Sequence, residues 1–206
     1  MRTGATTTSL TCFLSVASKT KAQSTAASVA KVYYIIYMPM QKKSIYIETT
    51  IPSLITARTS RDLITAYRQD ISRLFWENER NKYDLFISQY VFAECSDGDP
   101  EAAKRRLELI KDISYIPITE EIEELAEEYF SYLGIPSRAK TDCFHLAVSV
   151  VGKIDYLMSW NMTHLGGHSY NKVAEYNYKR SLWLPKMYTP DVIMDAEKEE
   201  AEDGLH

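Results

Sequence analysis

The sequence predicts an α/β protein: a three-layer α/β/α sandwich with a mainly parallel central sheet. Two observations carry that expectation. The run Ile45-Tyr46-Ile47 is apolar throughout instead of alternating, which is the pattern of a strand buried on both faces. Further along, Ala139, Cys143, Leu146, Ala147 and Val150 fall on one helical stripe that Gly152 closes, and a second apolar run, Asp155 to Trp160, follows at once. A helix leading directly into a buried strand is half of an αβ unit, the building block of parallel sheets.

Taken in order, residues 1–39 read as a leader outside the folded domain. Residues 1–31 are rich in Ser, Thr and Ala, and the whole leader holds no acid. They suit a disordered leader or an upstream mis-start, with Met40 as a natural start, or a targeting segment whose short apolar stretch is Leu10–Ala17. Val32–Met38 is strand-like. After Glu48 a loop or short helical turn containing Pro52 is expected. Thr59 and Asp62 then suggest a capping box for a long amphipathic helix carrying Leu63, Ile64, Tyr67, Ile71, Leu74 and Phe75. Arg61, Arg68 and Arg73 lie on its other face, as a solvated face or an RNA track. Tyr83–Ile87 reads as a strand, Ser88 as a turn, and Gln89 onward as a helix. Asp99 and Pro100 supply an N-cap and first-turn pair for a helix to Ile110, with Lys104, Arg105 and Arg106 again a solvated face or an RNA track. Tyr115–Ile118 is a short strand. Thr119 caps an acidic helix, Glu120–Leu133, closed by Gly134 and Pro136. Beyond Asn161, a helix near Asn171–Arg180 and an edge strand Leu184–Tyr188 precede a last turn at Pro190. The domain is expected over 40–194, followed by an acidic disordered tail, 195–206.

Composition narrows the function classes. A chain of 206 residues suits one domain with a sizeable core. No run reaches the length of a membrane span. Three cysteines, Cys12, Cys95 and Cys143, form no CxxC pair, which argues against a disulfide scaffold and for a reducing, cytoplasmic setting. The net charge of −4 hides a split: residues 1–43 hold six basic residues and no acid, leaving 18 basic against 28 acidic residues beyond, or −10. A nucleic acid would therefore need a local basic patch.

Polar punctuation marks the candidate site. In open α/β sheets, ligands bind beyond the carboxyl ends of the strands. Glu48 follows the first apolar run, Glu94 lies about two helical turns after the second strand, Asp142 opens the helix before the Asp155–Trp160 run, and Asn161 ends that run. Carboxylates gathered on one edge repel, and burying them unpaired costs several kcal/mol each, so a cation belongs among them. Mg²⁺ or Mn²⁺ suits such hard oxygen ligands. Plainer roles are open for each: Asp142 as a partner of the helix macrodipole, Glu94 as a surface acid, Glu48 as an N-cap, Asn161 as a turn residue. Cys95 and Cys143 lie about 100° round their helices from the acids and read as small core residues. His145, three after Asp142, shares its face and either tunes the site or simply packs. His164 and His168 have zinc-compatible spacing without a second ligand pair. Tyr170, Tyr176, Tyr178, Trp183 and Tyr188 suit base stacking or core packing.

The motifs IYIETTIPS, SQYVFAE, KTDCFHLAV and DYLMSWN, in that order, resemble those of PIN domains, and within them the VapC-type toxins. The resemblance covers roughly residues 44–193. It implies a flavodoxin-like sandwich and a Mg²⁺- or Mn²⁺-dependent endoribonuclease that hydrolyses RNA phosphodiesters to 3′-hydroxyl and 5′-phosphate ends. Glu48, Glu94, Asp142 and Asn161 would be its catalytic set, the three acids its metal ligands, and Thr50 and Ser159 supporting hydroxyls. An antitoxin partner and a homodimer would accompany it. Two positions depart from the commonest pattern: Glu48 stands where Asp is usual, and Asn161 carries no charge. The alternative is a degenerate PIN-fold module that binds RNA or protein without cleaving.

Overall fold

The computed structural model describes residues 42–161 and 168–203. The leader, the Val32–Met38 run, His164 and the His168 side chain lie outside the described residues.

Five strands form one sheet: β1 (Ser44–Ile47), β2 (Asp84–Ser88), β3 (Ser114–Ile116), β4 (Tyr156–Met158) and β5 (Lys186–Tyr188). Their order is β3-β2-β1-β4-β5, and every pairing is parallel. Eight α-helices accompany them among the described residues: α1 (Thr50–Thr56), α2 (Leu63–Leu74), α3 (Gln89–Ser96), α4 (Pro100–Ile110), α5 (Glu120–Leu133), α6 (Lys140–Val151), α7 (His168–Arg180) and α8 (Pro190–Asp203). Successive strand residues point to opposite faces, yet Ile45, Tyr46, Ile47, Tyr156, Leu157 and Met158 are all buried. Both sheet faces are therefore covered, and the layers are α/β/α.

The sequence expectations for α4 and α5 hold at their ends. Asp99 accepts from the Ala102 N–H at 2.9 Å with Pro100 in the first turn, and Thr119 caps α5 while Gly134 ends it at φ 62°. That left-handed φ is one glycine adopts without a Cβ penalty. The short turn expected after Glu48 is a two-turn helix, α1. The last turn expected at Pro190 extends through Asp203, its start held by the Asp191 carboxylate accepting from the Val192 N–H at 3.0 Å.

Helix α2 departs from expectation twice. Its N-cap is Asp62, which accepts from the Thr65 N–H at 2.8 Å, so the helix begins three residues beyond a Thr59 cap. Its stripe reaches the core only at its end: Phe75, just past α2, is fully buried, but Leu63 is 85% and Ile64 65% exposed, whereas Gln69 and Ser72 are buried. The polar residues are inside because they have specific work there. Gln69 accepts from the Ser60 N–H and donates to the Arg58 carbonyl, pinning the α1–α2 loop, and Ser72 accepts from the Trp160 indole N–H. Arg73 adds to that pinning through the Ile55 and Ala57 carbonyls. Arg106, expected on a solvated face or an RNA track, instead ties the α3–α4 loop through the Cys95 and Asp97 carbonyls.

Candidate acidic site at the sheet edge

The strand order fixes where a site can form. From β1 the chain steps to β2 on one side and returns through β4 on the other, so the β1/β4 boundary is the topological switch point. Glu48 leaves β1 there, its backbone N–H still bonded to the Met158 carbonyl at 3.1 Å. Ser159 and Asn161 leave β4 beside it.

Glu48 is 7% exposed, and its Oε2 accepts three hydrogen bonds: the Thr50 N–H at 3.0 Å, the Thr50 hydroxyl at 2.5 Å and the Ser159 hydroxyl at 2.8 Å. Thr50 Oγ1 also accepts from the Trp160 N–H at 3.0 Å, so one threonine joins the ends of β1 and β4. The Asn161 N–H donates to Ser159 Oγ at 2.8 Å, and its side-chain amide donates to Asp142 Oδ1 at 3.1 Å. Thr50 and Ser159 thus stand around Glu48, and Asn161 stands on Asp142.

Glu94 comes from α3 and meets a residue on α6. Its Oε2 accepts from the Thr49 hydroxyl and lies 3.1 Å from His145 Nε2. The other ring nitrogen of His145 is 2.9 Å from the Tyr46 hydroxyl, itself 2.7 Å from Ser88 Oγ. Ser88, Tyr46, His145 and Glu94 form a hydrogen-bonded line from the sheet interior to the edge. Burial raises the Tyr46 pKa well above its ordinary 10.0, with the Ser88 hydrogen bond opposing, so Tyr46 keeps its proton as a donor. Burial depresses His145, but the Glu94 hydrogen bond and the charges of Glu48, Glu94 and Asp142 outweigh it and leave the pKa raised. Burial pushes Glu94 up in turn, and the His145 and Thr49 bonds bring it below its ordinary range.

Glu48, Glu94 and His145 each offer one donor atom, and these atoms lie within 4.8 Å of one another. Ligands of one divalent cation with bonds of about 2 Å lie at such spacings after small shifts. Two carboxylates suit Mg²⁺ or Mn²⁺, and a third, Asp142, lies within electrostatic reach of the same histidine. The donor set fits such an ion. His145, bonded at both nitrogens, is placed to orient Glu94 in the way outer-shell partners hold ligands.

The sequence left His145 between tuning and packing, and the structure puts it between Tyr46 and Glu94. Its i, i+3 spacing from Asp142 was the available signal. Thr49 and Tyr46 were not legible as site residues: the first sits in a polar loop, and the second reads as one apolar member of a buried strand. Cys95 and Cys143 are buried, each thiol pushed by burial up to about 12, as core residues rather than ligands. Four members of the aromatic cluster make contacts within the domain, whereas Tyr178 is 86% exposed. Tyr176 meets Tyr129 and Tyr132, Tyr188 stacks on Tyr156, Trp183 donates to the Ile154 carbonyl, and Tyr170 donates to the Pro185 carbonyl.

No family model matches the sequence, and no curated protein matches it. Solved structures do resemble it. One is VapC20 of Mycobacterium tuberculosis, described as a sarcin-ricin loop cleaving toxin, at 15% identity and TM-score 0.47 over 58% of this chain and 92% of that one. Another is VapBC2 of Rickettsia felis bound to a fragment of promoter DNA, at 13% identity and TM-score 0.43 over 71% of this chain and 98% of that one.

Proposed function

We propose that this chain is a Mg²⁺- or Mn²⁺-dependent endoribonuclease of the PIN type that hydrolyses RNA phosphodiesters. The observation that carries the reading is the meeting of Glu48 and Glu94 with His145 at the β1/β4 switch point, within 4.8 Å, with Asp142 in electrostatic reach of that histidine. The RNA substrate, and an antitoxin or a second copy as partner, come from the motif resemblance. No helix among the described residues is long and apolar enough to cross a membrane.

Glu48, Glu94 and Asp142 would hold the ion. Bound there, such an ion would supply charge neutralisation at the phosphate and a lowered pKa for water. The remaining residues keep the acids in place. Three donors hold Glu48, one from each of the Thr50 N–H, Thr50 hydroxyl and Ser159 hydroxyl. His145 and Thr49 hold Glu94 below the usual glutamate pKa. Asn161 fixes the Asp142 carboxylate through its amide, a role an aspartate could not fill as donor.

A second reading draws on the same contacts. Glu48 Oε2 is already satisfied by three donors without an ion, as in a PIN-fold module that binds RNA or protein and does not cleave. The deciding experiment incubates a structured RNA pool and a matched DNA pool with Mn²⁺, Mg²⁺ or chelator, beside Asp142→Asn. Metal-dependent RNA cleavage is expected, and the variant should lose it by on the order of 100-fold or more, the scale of one lost electrostatic contact in a transition state. Intact RNA under every condition, with no heat of Mn²⁺ binding by calorimetry, would leave the binding module.

A further inference from the structure

A polyanion approaching this edge meets carboxylates, on a chain that beyond residue 43 carries 18 basic against 28 acidic residues. It needs a local cation, and Arg68 of α2 supplies one. Its guanidinium carbon lies 5.4 Å over the Trp160 ring. Arg73, Arg106 and Arg180 are engaged with carbonyls or Glu128, whereas Arg68 is exposed and rests on an aromatic face. Trp160 sits between Ser159, which donates to Glu48, and Asn161, which donates to Asp142, so one peptide on either side ties it to the acids.

The indole is also fixed. Its backbone N–H bonds Thr50 Oγ1, its ring N–H donates to Ser72 Oγ at 2.8 Å, and the Tyr67 ring meets it edge-on at 6.3 Å and 75°. Tyr67 is anchored in turn by donating to Asp191 at 3.0 Å. A guanidinium laid on a fixed aromatic ring keeps its N–H edges for phosphate and its outer face for a base. Ordinary solvated arginines lack that preorganisation.

We infer that Arg68 and Trp160 form a platform that grips an unpaired RNA base and its phosphate beside the acidic site. The inference rests on the nuclease reading for its substrate, and it concerns binding, not chemistry. A base inside a duplex has both faces stacked and offers none to the platform.

The test measures anisotropy of labelled single-stranded and hairpin-free duplex RNA with the full chain in chelator, for wild type, Arg68→Ala, Arg68→Lys and Trp160→Phe. Each variant is checked by circular dichroism and sedimentation. Single-stranded RNA should bind about tenfold more weakly to Arg68→Ala, and the slope of log affinity against log salt should fall by about one. Arg68→Lys should restore the slope but not the full affinity, since lysine keeps the charge and loses the plane. Duplex affinity should not change. Equal single-strand affinity for wild type and Arg68→Ala overturns the platform, as does wild type that binds no single-stranded RNA. So does an Arg68→Ala effect that appears only as a changed oligomeric state, which would make this α2 face a protein contact. Arg68-dependent binding with no cleavage would sink the nuclease reading and leave the platform standing; cleavage with unchanged KM in Arg68→Ala would do the reverse.

Discussion

His145 sits between two partners that make different demands on its proton. With the proton on Nε2 alone, it donates to Glu94 and accepts from Tyr46; as imidazolium, it donates to both. The surrounding carboxylates favour the second state, which is why its pKa rises despite complete burial. Replacing it with glutamine leaves Glu94 less well held, and Mn²⁺ affinity by calorimetry should fall about tenfold, roughly 1.4 kcal/mol. The pair also sets a pH window in metal-free protein. Glu94 has a lowered folded pKa, so its contribution is present above its ordinary 4.5 and is lost as pH falls through the folded value. His145 has a raised one, so its contribution is complete below its ordinary 6.5 and is lost as pH rises through the folded value. The pair therefore stabilises most between those two values. In urea titrations with chelator, the stability gap between wild type and Glu94→Gln should be wider near about pH 5.5 than near about pH 8.5. A gap independent of pH would mean that the pair is not ionised in the folded protein.

At the scale of the element, α2 is held by its polar residues. Ser72 is fully buried, donates to the Arg68 carbonyl and accepts from the Trp160 indole. Ser72→Ala leaves that N–H without its acceptor, and should cost about 2 kcal/mol in chemical denaturation. A loss below about 0.5 kcal/mol would mean that the indole turns to another acceptor. The exposed Leu63 and Ile64 explain why an amphipathic pattern misplaced the inner face. Periodicity reports that one side of a helix is apolar, and says nothing about whether that side meets this domain or something else. The end of α5 is a simpler case. Gly134 has φ 62° and no atom within 4 Å of where a Cβ would stand, so Gly134→Ala should cost about 1 kcal/mol through backbone conformation alone. Equal melting of the two proteins would show that the turn relaxes.

At the scale of the whole molecule, Glu48 and Glu94 meet because a parallel sheet brings the carboxyl ends of its strands to one edge. Ion binding to the folded state alone should raise stability by RT ln(1 + [L]/Kd), about 1.4 kcal/mol at ten times Kd, and Asp142→Asn should lessen the rise seen in Mn²⁺-dependent melting. An equal rise in both proteins would place the ion elsewhere. The strands, the capped helices α4 and α5, and the order of Glu48, Glu94, Asp142 and Asn161 were legible in the chain, because local spacing and cap chemistry decide them within a few residues. Sequence could also say that Thr50 and Ser159 were hydroxyls near an acid. It could not say that both would donate to one oxygen of Glu48, because residues 50 and 159 meet only through the β1–β4 register. Nor could it turn Tyr46 from a core residue into a partner of His145, or place buried Gln69 and Ser72 inside α2. Those are contacts between residues remote in sequence. Tertiary packing chooses among polar partners by distance and geometry, and neither quantity is written in one segment.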